Sequence, residues 1–174
     1  MGIQFETDYN METLTAMAKS LRKTVRKKRS RRVHIFAAVV LILGLLTILA
    51  TTAGGEPLGA SGVVTLLAML VVILVSLFED KLNAWFARKR LLPGTEHAVA
   101  TFEEDGYVSA TGVTESRFSY AQIVAVAETE RYFVFALSSH HTQAYDKRNI
   151  RGGSVEDFRA FIAEKTGKLV ENIK

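Results

Sequence analysis

Along the chain, apolar and polar positions change rhythm several times, and each change predicts an element. Ile3 to Asp8 (Ile-Gln-Phe-Glu-Thr-Asp) alternates apolar with polar, the period of a half-buried strand. Asn10 stands where a helix cap belongs. Leu14, Met17, Ala18, Leu21 and Val25 then recur at helical spacing and predict a helix from Met11 to about Arg29. From Val33 the rhythm disappears. Val33 to Ala53 and Leu58 to Phe78 are each 21 residues with no Asp, Glu, Lys or Arg and no amphipathic stripe. At a helical rise each covers roughly 30 Å, the hydrocarbon thickness of a bilayer, so they predict two transmembrane helices. Gly54-Gly55-Glu56-Pro57 between them predicts a tight turn, too short to hold a domain, which puts both outer ends on one side.

After Pro93-Gly94 the period becomes two. Strands are predicted over Thr95–Phe102, Tyr107–Thr111, Arg117–Tyr120, Ile123–Thr129, Tyr132–Leu137 and Thr142–Tyr145. Asp105-Gly106 predicts a hairpin turn, and Ser138 to His141 another. Ser154 with Asp157 forms a cap-like helix start, Val155, Phe158, Phe161 and Ile162 share one face, and Gly167 predicts the stop. The expected fold is a membrane α-helical hairpin plus an α+β cytoplasmic domain. That domain is a small antiparallel β-sheet or barrel, pleckstrin-homology-like, closed by a C-terminal helix. The segments are 1–32 (N-terminal strand and basic juxtamembrane helix), 33–78 (hairpin), 79–93 (juxtamembrane linker) and 94–174 (β domain). The Ile3–Asp8 strand is available to the C-terminal sheet, and the sequence leaves open whether it joins.

Charge sharpens this picture once it is partitioned. Lys19 to Arg32 holds nine basic residues and no acidic one, whereas Leu91 to Lys174 holds nine basic against twelve acidic. The positive charge therefore belongs to the membrane border, and the mildly acidic domain lacks the basic face that nucleic acid requires. Lys27-Lys28-Arg29-Ser30-Arg31-Arg32 precedes the first apolar helix. Lys81 and Arg88-Lys89-Arg90 follow the second, and the turn between has no Lys or Arg. By the positive-inside rule both termini are cytoplasmic and the protein is a multi-pass cell-membrane protein. Trp85 and Phe86 sit where an interfacial exit from the second helix is expected. A cleaved signal peptide is the rival reading, because Ala50-Thr51-Thr52-Ala53 offers small residues. The 32 residues ahead of the apolar run and the run's own length argue against it.

Candidate chemistry is sparse. The absence of cysteine removes disulfides, thiolate metal sites and cysteine nucleophiles. His34, His97, His140 and His141 show no ligand spacing with a carboxylate. Ser138-Ser139-His140 lacks a nucleophile elbow, and Glu103-Glu104-Asp105 reads as a solvated turn. No catalytic, cofactor or metal site is expected, and the protein is expected not to be an enzyme. Gly152-Gly153-Ser154 ahead of a helix, with Lys147, Arg148 and Arg151 upstream, is the best anion-binding arrangement in the domain. With Lys27, Lys28, Arg29, Arg31, Arg32, Arg88, Lys89 and Arg90 at the border, these are the candidate lipid or anion contacts.

Phe102, Glu104, Asp105 and Gly106, then Tyr120, Ile123, Val126, Glu128 and Thr129, then Tyr132 and Phe133, Lys147-Arg148, and Phe158 to Ile162 together resemble the bacterial YcxB-like family. Asp146 departs from its pattern, where a proline before the lysine is expected, and leaves that loop's conformation open. The resemblance implies a membrane protein without an assigned activity and supplies no catalytic residues. The expectation is an interaction or regulatory module that binds a protein partner or an anionic lipid headgroup, with homo-oligomers a further possibility. The alternatives are a subunit of a membrane transport system and self-protection against a membrane-active peptide. A transport path normally carries buried charge. The apolar helices offer only Thr47, Thr51, Thr52, Ser61, Thr65 and Ser76.

Overall fold

The computed structural model describes residues 2–55 and 57–174, so Glu56 of the expected inter-helix turn lies outside the described residues. The chain divides into two compact units. One comprises the residues up to Lys27 together with Asn83–Lys174, and the other is Lys28–Leu82.

The smaller unit is the helix hairpin. Its helices are α2 (Lys27–Ala53) and α3 (Ala60–Leu77), preceded in the chain by α1 (Met11–Lys23) and followed by α4 (Glu79–Lys89). Both are long and apolar enough to cross a membrane, with window hydropathies of 2.7 and 2.6, and neither window buries any residue. α2 starts six residues before the expected apolar span because the lysines and arginines of Lys27–Arg32 are good helix formers and extend the same helix. α3 opens later than expected, on Gly59 as an extended cap. The helices pack closely at Gly44, where an added Cβ would lie 2.8 Å from Met69 Sδ and 3.6 Å from Thr65 Cγ2. A small residue at such a crossing lets backbones come together. The hydroxyls of Thr47, Thr51 and Thr65 donate to Leu43, Thr47 and Ser61 carbonyls of their own helices, at 2.9, 3.0 and 2.9 Å.

The larger unit holds two sheets. The first has strand order β4-β3-β2-β1-β8, built from β1 (Ile3–Asp8), β2 (His97–Phe102), β3 (Tyr107–Thr111), β4 (Glu115–Phe118) and β8 (Ile150–Arg151). The second has order β7-β6-β5-β9, from β5 (Ala125–Glu128), β6 (Tyr132–Ala136), β7 (Thr142–Asp146) and β9 (Val170–Asn172). The N-terminal strand does join: β1 lies between β2 and β8, antiparallel to both, with Phe5 opposite Ala100 and Ile150.

The expected single antiparallel sheet or barrel needs correction, because the two sheets are open and β9 runs parallel to β5, with Val170 beside Val126. The cause is visible at two 3-10 turns. After β4 the chain makes Tyr120–Gln122, capped by the Ser119 side chain, and steps to the second sheet. After β7 it makes Lys147–Asn149, capped by Asp146, and steps back to pair with β1. Asp146 thus supplies, through a side-chain acceptor for Arg148 N–H at 3.1 Å, the turn that a proline would have fixed by its ring.

The core lies between the sheets and is aromatic. Phe5, Phe102, Tyr107, Phe133, Phe135 and Tyr145 are joined there by Phe158 and Ile162 of α5 (Val155–Thr166). Phe158 meets Phe5 at 4.6 Å and Phe102 at 4.8 Å between ring centroids, both edge to face. Each such side chain contributes about 1.5–3 kcal/mol by leaving water. Ser154 and Asp157 form the expected capping box, and Gly167, in the left-handed conformation, ends the helix. The outer face of the second sheet is covered separately. Ala16 and Met17 of α1 pack against Ala127, Tyr132, Val134, Ala144 and Ile173.

α1 is shorter than the expected Met11–Arg29 helix. Thr24 Oγ1 bonds back to Ser20 O at 2.8 Å, and Arg26 N–H reaches Leu21 O at 2.9 Å, a wide closing turn that divides α1 from α2. Arg26 then holds the β6–β7 turn, with its guanidinium on Ser139 O at 2.6 Å and His140 Nδ1 at 2.9 Å.

Candidate functional site

The candidate cations fall into two groups with different surroundings. Those inside the domain are engaged by its own carboxylates. Glu128 closes β5 on the core face and is 3% exposed. Its two oxygens accept Arg159 Nε at 2.7 Å and Nη2 at 2.8 Å, a two-pronged pairing from α5. Lys147 adds Nζ to Glu128 Oε1 at 3.0 Å and to Thr129 O at 2.7 Å. These bonds, Arg159's first, hold the Glu128 carboxyl below the usual glutamate range against the opposing effect of burial.

Asp146 is the matching centre on β7, also 3% exposed. It accepts Arg131 Nε at 2.9 Å and Nη2 at 2.8 Å, and Arg148 Nη2 at 3.2 Å. Arg131 also bonds Glu12 of α1, and beside it Thr13 Oγ1 meets Tyr132 Oη at 3.1 Å. Arg151 pairs with Glu6 at 2.9 Å across β8 and β1. Lys147, Arg148 and Arg151 are therefore not gathered around the α5 N-terminus. That terminus has its own anion: Ser154 N–H donates to Asp157 Oδ2 at 3.1 Å, and Ser154 Oγ does so at 2.6 Å. The same bonds hold the Asp157 carboxyl below its ordinary range.

The border cations differ. Lys27, Lys28, Arg29, Arg31 and Arg32 occupy the first two turns of α2, all exposed. Among the described residues none of the five forms an ion pair. No acidic residue stands in that first turn. Cations there face the positive end of the helix dipole, so their placement costs about 0.3–1 kcal/mol each at the terminus. Helix stability does not account for them. Beyond α3, Arg88, Lys89 and Arg90 are also exposed. Lys89 Nζ lies 3.6 Å from the centre of the Trp85 ring. Arg88 lines a shallow recess of about 380 Å³ with Asp8, Tyr9, Asn10, Leu91, Glu96 and His97.

The other sequence-flagged groups have ordinary surroundings. Ser138 Oγ accepts His140 and His141 N–H at 3.1 and 3.0 Å, so it caps a turn. His97 Nδ1 lies 2.8 Å from Asp8 Oδ1 and His34 Nε2 3.7 Å from Glu79 Oε2. Glu104, in the acidic hairpin, pairs with Lys165. Sequence reasoning missed a buried phenol cluster. Tyr107 and Tyr145 both donate to Gln143 Oε1 at 2.7 Å, tying the two sheets together. Burial pushes the Tyr9 hydroxyl up to about 12 and raises those of Tyr107 and Tyr145, so all three stay neutral at physiological pH. It also missed Arg131 and Arg159. The available signal was Glu128 ending the apolar β5 and Asp146 ending β7, carboxylates that demand partners when buried.

Residues 102–162 match the model of the family described as YcxB-like protein, from the end of β2 through Ile162 of α5. The residues that carry the resemblance, Phe102 to Ile162, all lie in this stretch, whereas the N-terminal segment and the two apolar helices, which the resemblance also takes in, lie outside it. No curated protein and no solved structure matches the chain.

Proposed function

Because the chain carries a YcxB-like domain over residues 102–162, we propose that it is a membrane-anchored, non-catalytic interaction module whose border cations hold anionic lipid headgroups. The hairpin crosses the bilayer with both termini cytoplasmic, and the domain is of the pleckstrin-homology kind, two sheets sealed by a C-terminal helix. One observation carries this reading: the division of the cations. Lys147, Arg148 and Arg151 are each on a carboxylate, Arg148 and Arg151 while still exposed, whereas Lys27, Lys28 and Arg29 stand exposed in the first turn against an unfavourable helix dipole, with Arg31 and Arg32 exposed one turn on. An anionic headgroup supplies the missing counter-charge, worth about 1 kcal/mol per basic residue near the surface. The buried carboxylates support a structural role, since both are spent on ion pairs. A protein partner for the domain is the natural complement, with the exposed edge strand β4 offering unpaired backbone for strand addition.

The test is lipid retention. The full chain is purified from mixed vesicles, and bound phosphatidylserine is counted by mass spectrometry. Arg29→Gln with Arg31→Gln is expected to weaken retention about fivefold per charge, and Arg148→Gln with Arg151→Gln to leave it unchanged. The reverse pattern would move the headgroup site into the domain and sink the proposal.

A further inference from the structure

α4 has two unlike sides. Ala84 is fully buried on one, and Arg88, one turn on along that side, lines the recess with Asp8, Tyr9 and Asn10. One and two residues further on, successive helical steps of about 100° carry Trp85 and Phe86 away from it. They are 44% and 51% exposed, and meet edge to face with centroids 5.0 Å apart. Lys89, one turn beyond Trp85, covers its ring at 3.6 Å. A helix in water turns its aromatics inward, and an outward Trp–Phe pair is the arrangement of an interfacial belt. Two observations name the covering surface. α4 begins at Glu79, with only Phe78 between it and the end of α3 at Leu77, and α3 is long and apolar enough to cross a membrane. The last turn of α4 carries Lys89 on the aromatic side, with Arg90 next in the chain.

We infer that α4 is an interfacial helix whose Trp85–Phe86–Lys89 side lies in the headgroup layer of an anionic leaflet. The rings occupy the acyl boundary, and the Lys89 ammonium stands above Trp85 to meet a lipid carboxylate or phosphate. The inference rests on the membrane reading above. It deepens that reading by assigning lipid contact to a second surface, separate from the α2 cations.

Trp85 is the only tryptophan, so it reports on itself. The full chain is reconstituted in phosphatidylcholine vesicles containing phosphatidylserine, with either lipid brominated in turn. Brominated phosphatidylserine is expected to quench Trp85 with an association about fivefold stronger than brominated phosphatidylcholine, the effect of one surface cation. Lys89→Gln is expected to bring the two lipids to parity, with unchanged thermal unfolding. Stronger quenching by aqueous iodide than by either lipid would overturn the inference. So would a Lys89→Gln variant that kept the full phosphatidylserine preference, since the α2 cations would then explain it. Either result, with the hairpin's turn and the domain still labelled from opposite sides, would remove this inference and leave the membrane reading standing.

Discussion

The two units use the same residue types in opposite ways. In the domain, Phe5, Phe102, Phe133, Phe135 and Phe158 are sealed from solvent and touch one another. In the hairpin no residue of α2 or α3 is buried, and Phe36 and Leu77 are 70% and 73% exposed. A chain built for one solvent would not do both. The domain's stability comes from removing apolar surface from water, so it depends on internal contacts. The hairpin gains nothing from internal burial, and its apolar surface suits hydrocarbon on every side. Polar groups follow the same division. The domain answers its buried Glu128 and Asp146 with arginines, whereas the hairpin threonines bond only to their own helices.

The comparison is most severely strained by deleting from the core. Phe102→Ala removes a ring that contacts Phe5, Tyr107, Phe135, Tyr145 and Phe158, and is expected to destabilise the domain by about 3–5 kcal/mol. Leu67→Ala on exposed α3 is expected to change stability by less than about 0.5 kcal/mol. Thermal unfolding of both variants in one detergent checks the contrast.

Next comes the buried ion pair. Glu128→Ala strands Arg159 and Lys147 and is expected to cost about 3 kcal/mol, the lower end for a broken buried pair because Arg159 is partly exposed. The pH response has a definite sign. Arg159's hydrogen bonds depress the folded carboxyl below its unfolded value. The stabilisation is therefore present above the ordinary glutamate value of about 4.3 and is lost as pH falls through the folded one. Denaturant midpoints of wild type and Glu128→Gln should converge in acid and separate towards neutrality.

A charge placed in each unit sharpens the difference in solvent. Leu43→Arg in α2 is expected to raise the cost of membrane insertion by about 2.5–3.5 kcal/mol, seen as lost membrane-fraction protein. Val124→Arg, at an equally exposed apolar position of the domain, is expected to leave expression and unfolding unchanged. The smallest effect is a cap. Ser154→Ala removes the acceptor for Asp157 N–H and should cost about 1 kcal/mol, confined to the domain's unfolding transition.

What was legible in the sequence was local. The Asp105-Gly106 hairpin, the Ser154–Asp157 box and the Gly167 stop each need only a few neighbouring residues, and each is in place. The hydrophobic runs at Val33–Ala53 and Leu58–Phe78 were equally plain, although the helices begin and end elsewhere by a few residues. Long-range pairing was not legible. Val170 lies beside Val126 with no local mark, and β8 is only two residues long. The division into two sheets turned on Ser119 and Asp146, whose side chains cap turns that sequence spacing reads as strand ends. The candidate cations were found by composition, but which were already paired depended on Glu128, Asp146 and Glu6, which a charge count cannot match to partners. Even glycine misleads here: Gly106 has ordinary φ, and its small size is required because an added Cβ would collide with the Phe118 carbonyl.

The membrane hairpin with inward-facing ends is the claim on which the rest depends, and cysteine labelling tests it most directly because the chain has no cysteine of its own. Gly59 has open space for a side chain, and Leu169 is 89% exposed beside β9. In intact cells, a membrane-impermeant maleimide is expected to label Gly59→Cys and to reach Leu169→Cys only after permeabilisation. Equal labelling of both positions in intact cells, or protection of both, would contradict the account.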